Sequence, residues 1–188
     1  MGTLPKKVKI VEVGLRDGLQ NEKTLLSKDQ KVELAKRLVG AGLEHIEVGA
    51  FVRFDKIPQM KGTEQVLVEI LNWNRKPHYS VLVPNEKGMR EAMVFKCQEV
   101  VVFAACSESF SQSNINCSIE ESFQRFQPVF ALAHKNKIKI RGYLSVCFGC
   151  PFEGDVPEKK VVNMAQRLIE MGAFEVSIGD TIGVAHVG

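Results

Sequence analysis

Hydrophobic positions along the chain follow two alternating rhythms. Short runs rich in β-branched residues read as strands over Val8–Val13, His45–Val48, His78–Val83, Glu99–Ala104, Lys139–Ser145 and Glu175–Ile178. Between them lie longer stretches with apolar residues at helical spacing, over Lys28–Ala41, Thr63–Leu71, Glu86–Phe95, Ile119–His134 and Pro157–Met171. Several helices carry their own start signals. Ser27 with Gln30 and Ser118 with Glu121 each have capping-box spacing, and Pro157 suits a first helical turn. Gly42 and Gly172 each close an apolar helical face and precede a strand, where a left-handed cap belongs.

Strands separated by helices, with no Asn-Gly hairpin turns, predict parallel pairing through right-handed crossovers. Two α/β architectures satisfy this, an open doubly wound sheet and a (β/α)8 TIM barrel. A doubly wound nucleotide fold places a glycine-rich phosphate turn after its first strand, but here that turn reads Gly14-Leu15-Arg16-Asp17-Gly18. The barrel is therefore favoured. A complete barrel has eight units and typically about 250 residues. The 188 residues predict a single incomplete TIM-barrel catalytic domain over 1–188, carrying about the first six strands and lacking the C-terminal ones.

Composition narrows the class without changing it. With 45% apolar and 25% charged residues, the chain has the proportions of a soluble globular domain that needs no staple for its core. No apolar run approaches the roughly 18 residues of a membrane span, and the start, MGTLPKKVKIVEV, runs from a Lys pair straight into a strand pattern. Neither a signal peptide nor a membrane partner is expected. The net charge of +3 is scattered, and Lys6, Lys7 and Lys9 read as a solvated cluster, so no nucleic-acid partner is expected either. Five cysteines without framework spacing suit a reducing compartment. Cys147-Phe148-Gly149-Cys150 has no second pair or nearby His to close a zinc site, and it does not open a helix as a thioredoxin-type motif does. His45, His78, His134 and His186 include no His-x-His or His-x-x-x-His pair.

In a barrel, chemistry collects at the C-terminal ends of the strands. Read in order, those ends carry Arg16, Asp17 and Gln20, then Glu47, Asn85, and Ser107 with Glu108. The fifth predicted strand carries Arg141, Tyr143 and Ser145, and Asp180 and Thr181 follow the sixth. Arg16 and Asp17 also suit an exposed turn, and Asp180 also suits a helix cap. Glu47 is harder to place as a solvated residue. It lies between Ile46 and Val48 in a strand expected to be buried on both faces, where a lone carboxylate costs several kcal/mol, so it needs a partner, and Arg16 is the nearest candidate. Residue chemistry alone reaches a metal-assisted lyase or aldolase.

The segments VEVGLRDGLQNE, SESFSQSNINCSIEESFQRF, RGYLSVCFGCPFEG and EVSIGDTIG closely resemble the family of 3-hydroxy-3-methylglutaryl-CoA lyases, metallolyases built on a TIM barrel. The resemblance runs from about Leu4 to the end of the chain. It implies cleavage of 3-hydroxy-3-methylglutaryl-CoA to acetyl-CoA and acetoacetate, a reaction of leucine breakdown and ketone-body formation. By position it implies that Asp17 ligates Mg²⁺ or Mn²⁺, that Arg16 binds substrate and stabilises the enolate, and that Glu47 supports Arg16. It places Asp180 near the substrate hydroxyl, and Gln20, Arg141, Tyr143, Ser177 and Thr181 around the pocket. The implied partner is an acyl-CoA, the implied assembly of the full-length protein a homodimer. The implied location is a bacterial cytoplasm, or the mitochondrial matrix if a presequence was removed.

The chain departs from the family pattern at Leu15, where the family has Pro, and at Gly49-Ala50, where it has Thr-Ser. The family's His-x-His metal ligands and its catalytic cysteine lie beyond the sixth strand, so a chain ending at Gly188 is expected to lack part of the active site. Two alternatives follow: a related metal-dependent aldolase or acyl-CoA-condensing synthase, favoured by Gly49-Ala50, and a non-catalytic partial-barrel binding module.

Overall fold

The structure, a computed structural model, describes residues 5–186, so Leu4, where the resemblance begins, and Gly188 lie outside the described residues. In chain order the elements are a π-helical turn Gly14–Gly18, α1 Lys28–Gly40, β1 His45–Ala50, a 3₁₀ turn Pro58–Met60, α2 Thr63–Leu71, β2 His78–Leu82, α3 Glu86–Val94, β3 Glu99–Ala105, α4 Glu108–Ile115, α5 Ile119–Asn136, β4 Lys139–Ser145, α6 Glu158–Glu170 and β5 Glu175–Ile178. The strands follow chain order, β1-β2-β3-β4-β5, in one five-stranded sheet. A sheet so ordered, with helices between successive strands, is part of a TIM barrel. The described residues fall into two compact units, one ending at Val81 and one beginning at Leu82.

In the first unit, the strand expected over Val8–Val13 reduces to a single parallel bridge, Glu12 to Ile46. Glu12 N–H donates to His45 O at 2.9 Å and Glu47 N–H to Glu12 O at 2.8 Å. Val8 and Ile10 are 69% and 61% exposed, so the alternation there finds no second layer to bury against among the described residues. The chain then winds into the π-helical turn, with the amides of Arg16, Asp17 and Gly18 all directed at Val13 O (3.0, 2.7 and 3.2 Å). Leu15, the departure from Pro, points into the core.

The Ser27–Gln30 capping box is fully formed on α1. From the same helix, the buried Lys31 reaches across to donate to the carbonyls of Gln59 and Lys61, while the Gln59 side chain bridges Leu26 N–H and Thr24 O. The loop after β1 is thus tied to α1 by side chains rather than by sheet. Burial pulls the Lys31 ammonium below the ordinary lysine range, partly opposed by Glu64. The core beneath is Ile46, Met60, Val66, Leu67 and Ile70, each at most 1% exposed. Side chains of this size stabilise the fold by about 1.5–3 kcal/mol apiece.

In the second unit, β3 and β4 pair in parallel from Glu99–Lys139 to Ala105–Ser145, and β4 pairs with β5 from Arg141–Glu175 to Leu144–Ile178. Gly142 lets Leu168 of α6 press onto β4, where a Cβ would stand 2.8 Å from the leucine methyl. Arg141, Tyr143 and Ser145 therefore lie on the other face of that strand. Helix α5 opens with the Ser118–Glu121 capping box and buries Phe123, Phe126 and Val129. Gly42 and Gly172 adopt the expected left-handed conformation, with φ of 94° and 110°. Helix α4 has no signal in the hydrophobic rhythm because it buries only Ser111; it forms because Ser107 caps it, accepting from Phe110 N–H at 3.1 Å. Among the described residues, no helix is long and apolar enough to cross a membrane.

Candidate active site

In the first unit, Arg16 sits in the π-helical turn with its side chain 8% exposed, and Glu47 in β1 has none of its side chain exposed. Arg16 Nε donates to Glu47 Oε1, and Nη1 donates to Asp17 Oδ1 at 2.7 Å. The guanidinium is thus held along one edge by a buried carboxylate and at a tip by an exposed one, since the Asp17 side chain is 62% exposed. This fixes its plane, and such charge-assisted bonds are the stronger kind. The π-helical winding brings consecutive residues to these different partners. Gln20 lies half-buried just beyond the turn.

Gly49, two residues after Glu47, has a packing reason for being glycine. A Cβ there would fall 2.4 Å from Thr63 Oγ1, which accepts from Ala50 N–H (3.3 Å) and donates to Met60 O (2.8 Å). The glycine of the Gly49-Ala50 departure is therefore explained by Thr63. Gly49→Thr should lower unfolding free energy by about 1–3 kcal/mol, the usual range for overpacking. Thermal melts of Gly49→Thr with and without Thr63→Ala check this; equal losses in both would refute it.

In the second unit, the loops after β4 and β5 are laced together by backbone. Val146 N–H donates to Thr181 Oγ1 (2.8 Å), Cys147 N–H to Gly179 O (3.1 Å), and Gly179 N–H to Leu144 O (2.8 Å). A Cβ on Gly179 would meet Leu144 O at 2.7 Å, which is why the Ser-Ile-Gly-Asp-Thr run needs its glycine. Asp180 is exposed and accepts from Val184 N–H through Oδ1 (3.0 Å) and from Ala185 N–H through Oδ2 (2.9 Å). Those amides hold its carboxyl below the ordinary carboxylate range. A depressed acid stabilises its turn above the ordinary range and stops doing so as pH falls through the lowered value. The Val184 and Ala185 amide resonances should thus titrate together with a midpoint below about 3.9, the free aspartate value; a midpoint at or above it would refute the assignment.

Arg141 is held by ions at the strand starts. It lies near the opening of β4, toward the N-terminal end of the strand, and is 2% exposed. Its Nε and Nη2 engage Glu99 Oε1 (3.1 Å each), Nη1 engages Glu175, and Phe174 stacks beside it at 5.2 Å. Glu99 and Glu175 are the first residues of the flanking strands, so the three form an ion cluster at the strand starts. A charged residue near the start of three successive predicted strands was the signal for it. Tyr143 and Ser177 are register partners, both half-buried. Asn85 and Ser107, expected on the rim, cap α3 and α4. Asp180, expected at the substrate hydroxyl, caps the Val184–Ala185 turn.

A parallel α/β part-barrel with a buried, carboxylate-clamped arginine after its first strand segment defines a TIM-barrel protein with a carboxylate–arginine cluster. The HMGL-like family pattern matches residues 7–188, and the chain belongs to that family. It is similar to the 3-hydroxy-3-isohexenylglutaryl-CoA/hydroxy-methylglutaryl-CoA lyase of Pseudomonas aeruginosa, 49% identical over 187 residues, covering 98% of this chain and 61% of that protein. It is 48% identical over 188 residues to the mitochondrial hydroxymethylglutaryl-CoA lyase of Homo sapiens, covering 100% of this chain and 58% of that protein. The crystal structure of the Pseudomonas aeruginosa hydroxymethylglutaryl-CoA lyase superposes with a TM-score of 0.92 at 49% identity, over 97% of this chain and 60% of that one. The chain thus spans about 60% of the length of these relatives.

Proposed function

We propose that the chain is part of a divalent-cation-dependent carbon–carbon lyase that cleaves 3-hydroxy-3-methylglutaryl-CoA into acetyl-CoA and acetoacetate, and that residues 1–188 belong to one barrel domain. The observation that carries this reading is the burial of Arg16 between Glu47 and Asp17. Breaking the carbon–carbon bond requires removal of the tertiary hydroxyl proton and a place for negative charge on the thioester enolate. A guanidinium whose plane is already set by two carboxylates stabilises that charge without reorganising, an effect worth about 10²–10³ in rate for a single donor.

Asp17 offers an exposed, hard oxygen donor of the kind Mg²⁺ and Mn²⁺ take. No group of three or more His, Cys, Asp or Glu able to hold an ion occurs among the described residues, so Asp17 would be one ligand of the set. When bound, such an ion makes the substrate hydroxyl easier to deprotonate. Glu47, its side chain fully buried, positions Arg16. Gln20, Tyr143 and Ser177 offer hydrogen bonds to substrate, Thr181 holds the loop before it through Val146, and Asp180, ionised at neutral pH, orients the turn it caps. Arg141 is left out of this set because Glu99 and Glu175 occupy it. The acyl-CoA partner and a homodimeric assembly follow from the same reading. Bacterial and mitochondrial relatives both exist; we place this protein in a bacterial cytoplasm, or in the matrix if a presequence is removed.

Acetoacetate release from 3-hydroxy-3-methylglutaryl-CoA by the whole protein, with Mg²⁺ or Mn²⁺ added and with chelator as control, tests the reading. Release that depends on the added ion is expected. No release with either ion would overturn it.

A further inference from the structure

We propose that Cys106 and Cys147 are a redox pair, which a hydroperoxide converts to an intramolecular disulfide that displaces the turn carrying Asp180 and Thr181. Cys106 directly follows β3 and Cys147 lies two residues beyond β4, and their sulfurs stand 3.7 Å apart in a buried setting, with residue exposures of 0% and 6%. The strand register ends at Ala105–Ser145, and Cys106 N–H donates to Ser145 O at 3.0 Å, so Cys106 falls opposite Val146 just past the last paired position and Cys147 one residue further. Neighbouring strands run about 4.8 Å apart. Residues in that relation fall within the Cα range of about 4.4–6.8 Å that disulfides span, and a small side-chain rotation closes the sulfurs to about 2.05 Å.

The choice of partner is settled by geometry. Cys150, which forms the Cys-x-x-Cys spacing with Cys147, has its sulfur on Ser107 Oγ at 2.9 Å and accepts from Phe152 N–H at 3.4 Å. The sulfur within reach of Cys147 is that of Cys106, 41 residues earlier. The hydrogen bond between the two thiols also makes them unequal: it holds Cys147 below the ordinary thiol range and pushes Cys106 well above it. Two adjacent sulfurs of unequal acidity are the arrangement that peroxide oxidation joins.

The chemistry balances in two steps. The Cys147 thiolate attacks one oxygen of the hydroperoxide, the O–O bond breaks, and Cys147 becomes a sulfenic acid as hydroxide or alkoxide leaves and takes up a proton. Cys106 sulfur then attacks Cys147 sulfur, the S–OH bond breaks, and the Cys106 proton leaves with that hydroxyl as water. Two electrons have passed from the sulfurs to the peroxide.

The bond has a path to the turn. Cys147 N–H holds Gly179 O, and Val146 N–H holds Thr181 Oγ1. Val146 itself is held at φ 55°, a left-handed conformation that a β-branched residue adopts only under constraint. Pulling Cys147 toward Cys106 moves this strained residue and with it both hydrogen bonds to the turn.

The test is peptide mapping of the native protein after hydrogen peroxide, with remaining thiols alkylated before digestion. Cys97, buried and with its thiol pushed up to about 12, reports that the protein stayed folded. Expected, among the five thiols of residues 1–188, is loss of Cys106 and Cys147, with a Cys106–Cys147 linked peptide, Cys97 unmodified, reversal by dithiothreitol, and faster amide exchange at Val146 and Cys147 in the oxidised form. Cys106→Ala and Cys147→Ala should each abolish the linked peptide. A Cys147–Cys150 link, Cys147 oxidised without a link, or no thiol loss would each overturn the proposal, and none of these outcomes depends on lyase activity.

Discussion

Arg16→Lys in the whole protein should lower kcat for 3-hydroxy-3-methylglutaryl-CoA cleavage by about 10²–10³-fold, the loss typical of removing one preorganised donor to a developing oxyanion. Lysine keeps the positive charge that the buried Glu47 requires, so the fold should survive. What it loses is shape. Arg16 meets Glu47 through Nε and Asp17 through Nη1, and a lysine ammonium, a single point charge on a flexible stem, cannot reproduce that fork. Because the interaction strengthens as charge develops, the loss should appear in kcat and kcat/KM together with little change in KM. Steady-state kinetics beside a thermal melt decide it. A loss under tenfold, or one confined to KM, would mean that Arg16 only binds substrate.

Arg141→Met should have the largest effect on stability, with an unfolding free energy lower by about 3–5 kcal/mol, the cost of leaving a buried charge without its partner. The substitution removes the guanidinium that both the buried Glu99 carboxylate, whose side chain is 4% exposed, and the half-exposed Glu175 engage. Turnover per folded molecule should stay within about twofold of the parent, since surface-remote stability effects need not touch the transition state. Chemical denaturation of Arg141→Met and of the double variant Arg141→Met/Glu99→Gln measures this. The second substitution should recover part of the loss because it removes the buried charge that Arg141 balanced. A normal denaturation curve with a tenfold rise in KM would instead return Arg141 to the substrate pocket.

These two arginines show where a sequence is legible. Arg16 could be paired with Glu47 from the sequence because a carboxylate between two β-branched residues in a buried strand has to find a cation, and the turn after the preceding strand supplies one. Arg141 carries the same residue type on an equally clear strand, but its ion partners were not legible. It stands two positions from the strand start and four from the rim end, and its partners, Glu99 and Glu175, are 42 and 34 residues away. Alternating patterns say that a side chain lies on one face of a strand, but they do not say at which height it finds its ions. The same limit applies to Cys106 and Cys147. The Cys-x-x-Cys spacing drew attention to Cys150, while the sulfur that stands against Cys147 comes from the neighbouring strand.

The elements themselves follow from local rules: capping boxes at Ser27 and Ser118, left-handed glycines at 42 and 172, and hydrophobic rhythms that switch from strand to helix. The exceptions have local reasons too. Residues 8–13 have strand periodicity but only one bridge to pair with, and α4 has a cap but no apolar stripe. By itself the sequence determined the order of strands and helices, the parallel part-barrel, and the set of residue types available for chemistry, because these depend on periodicity and on neighbours within a few positions. Only the tertiary structure decided which charges and sulfurs meet, because those encounters depend on strand register and on the path of loops, where a shift of one or two residues changes every partner.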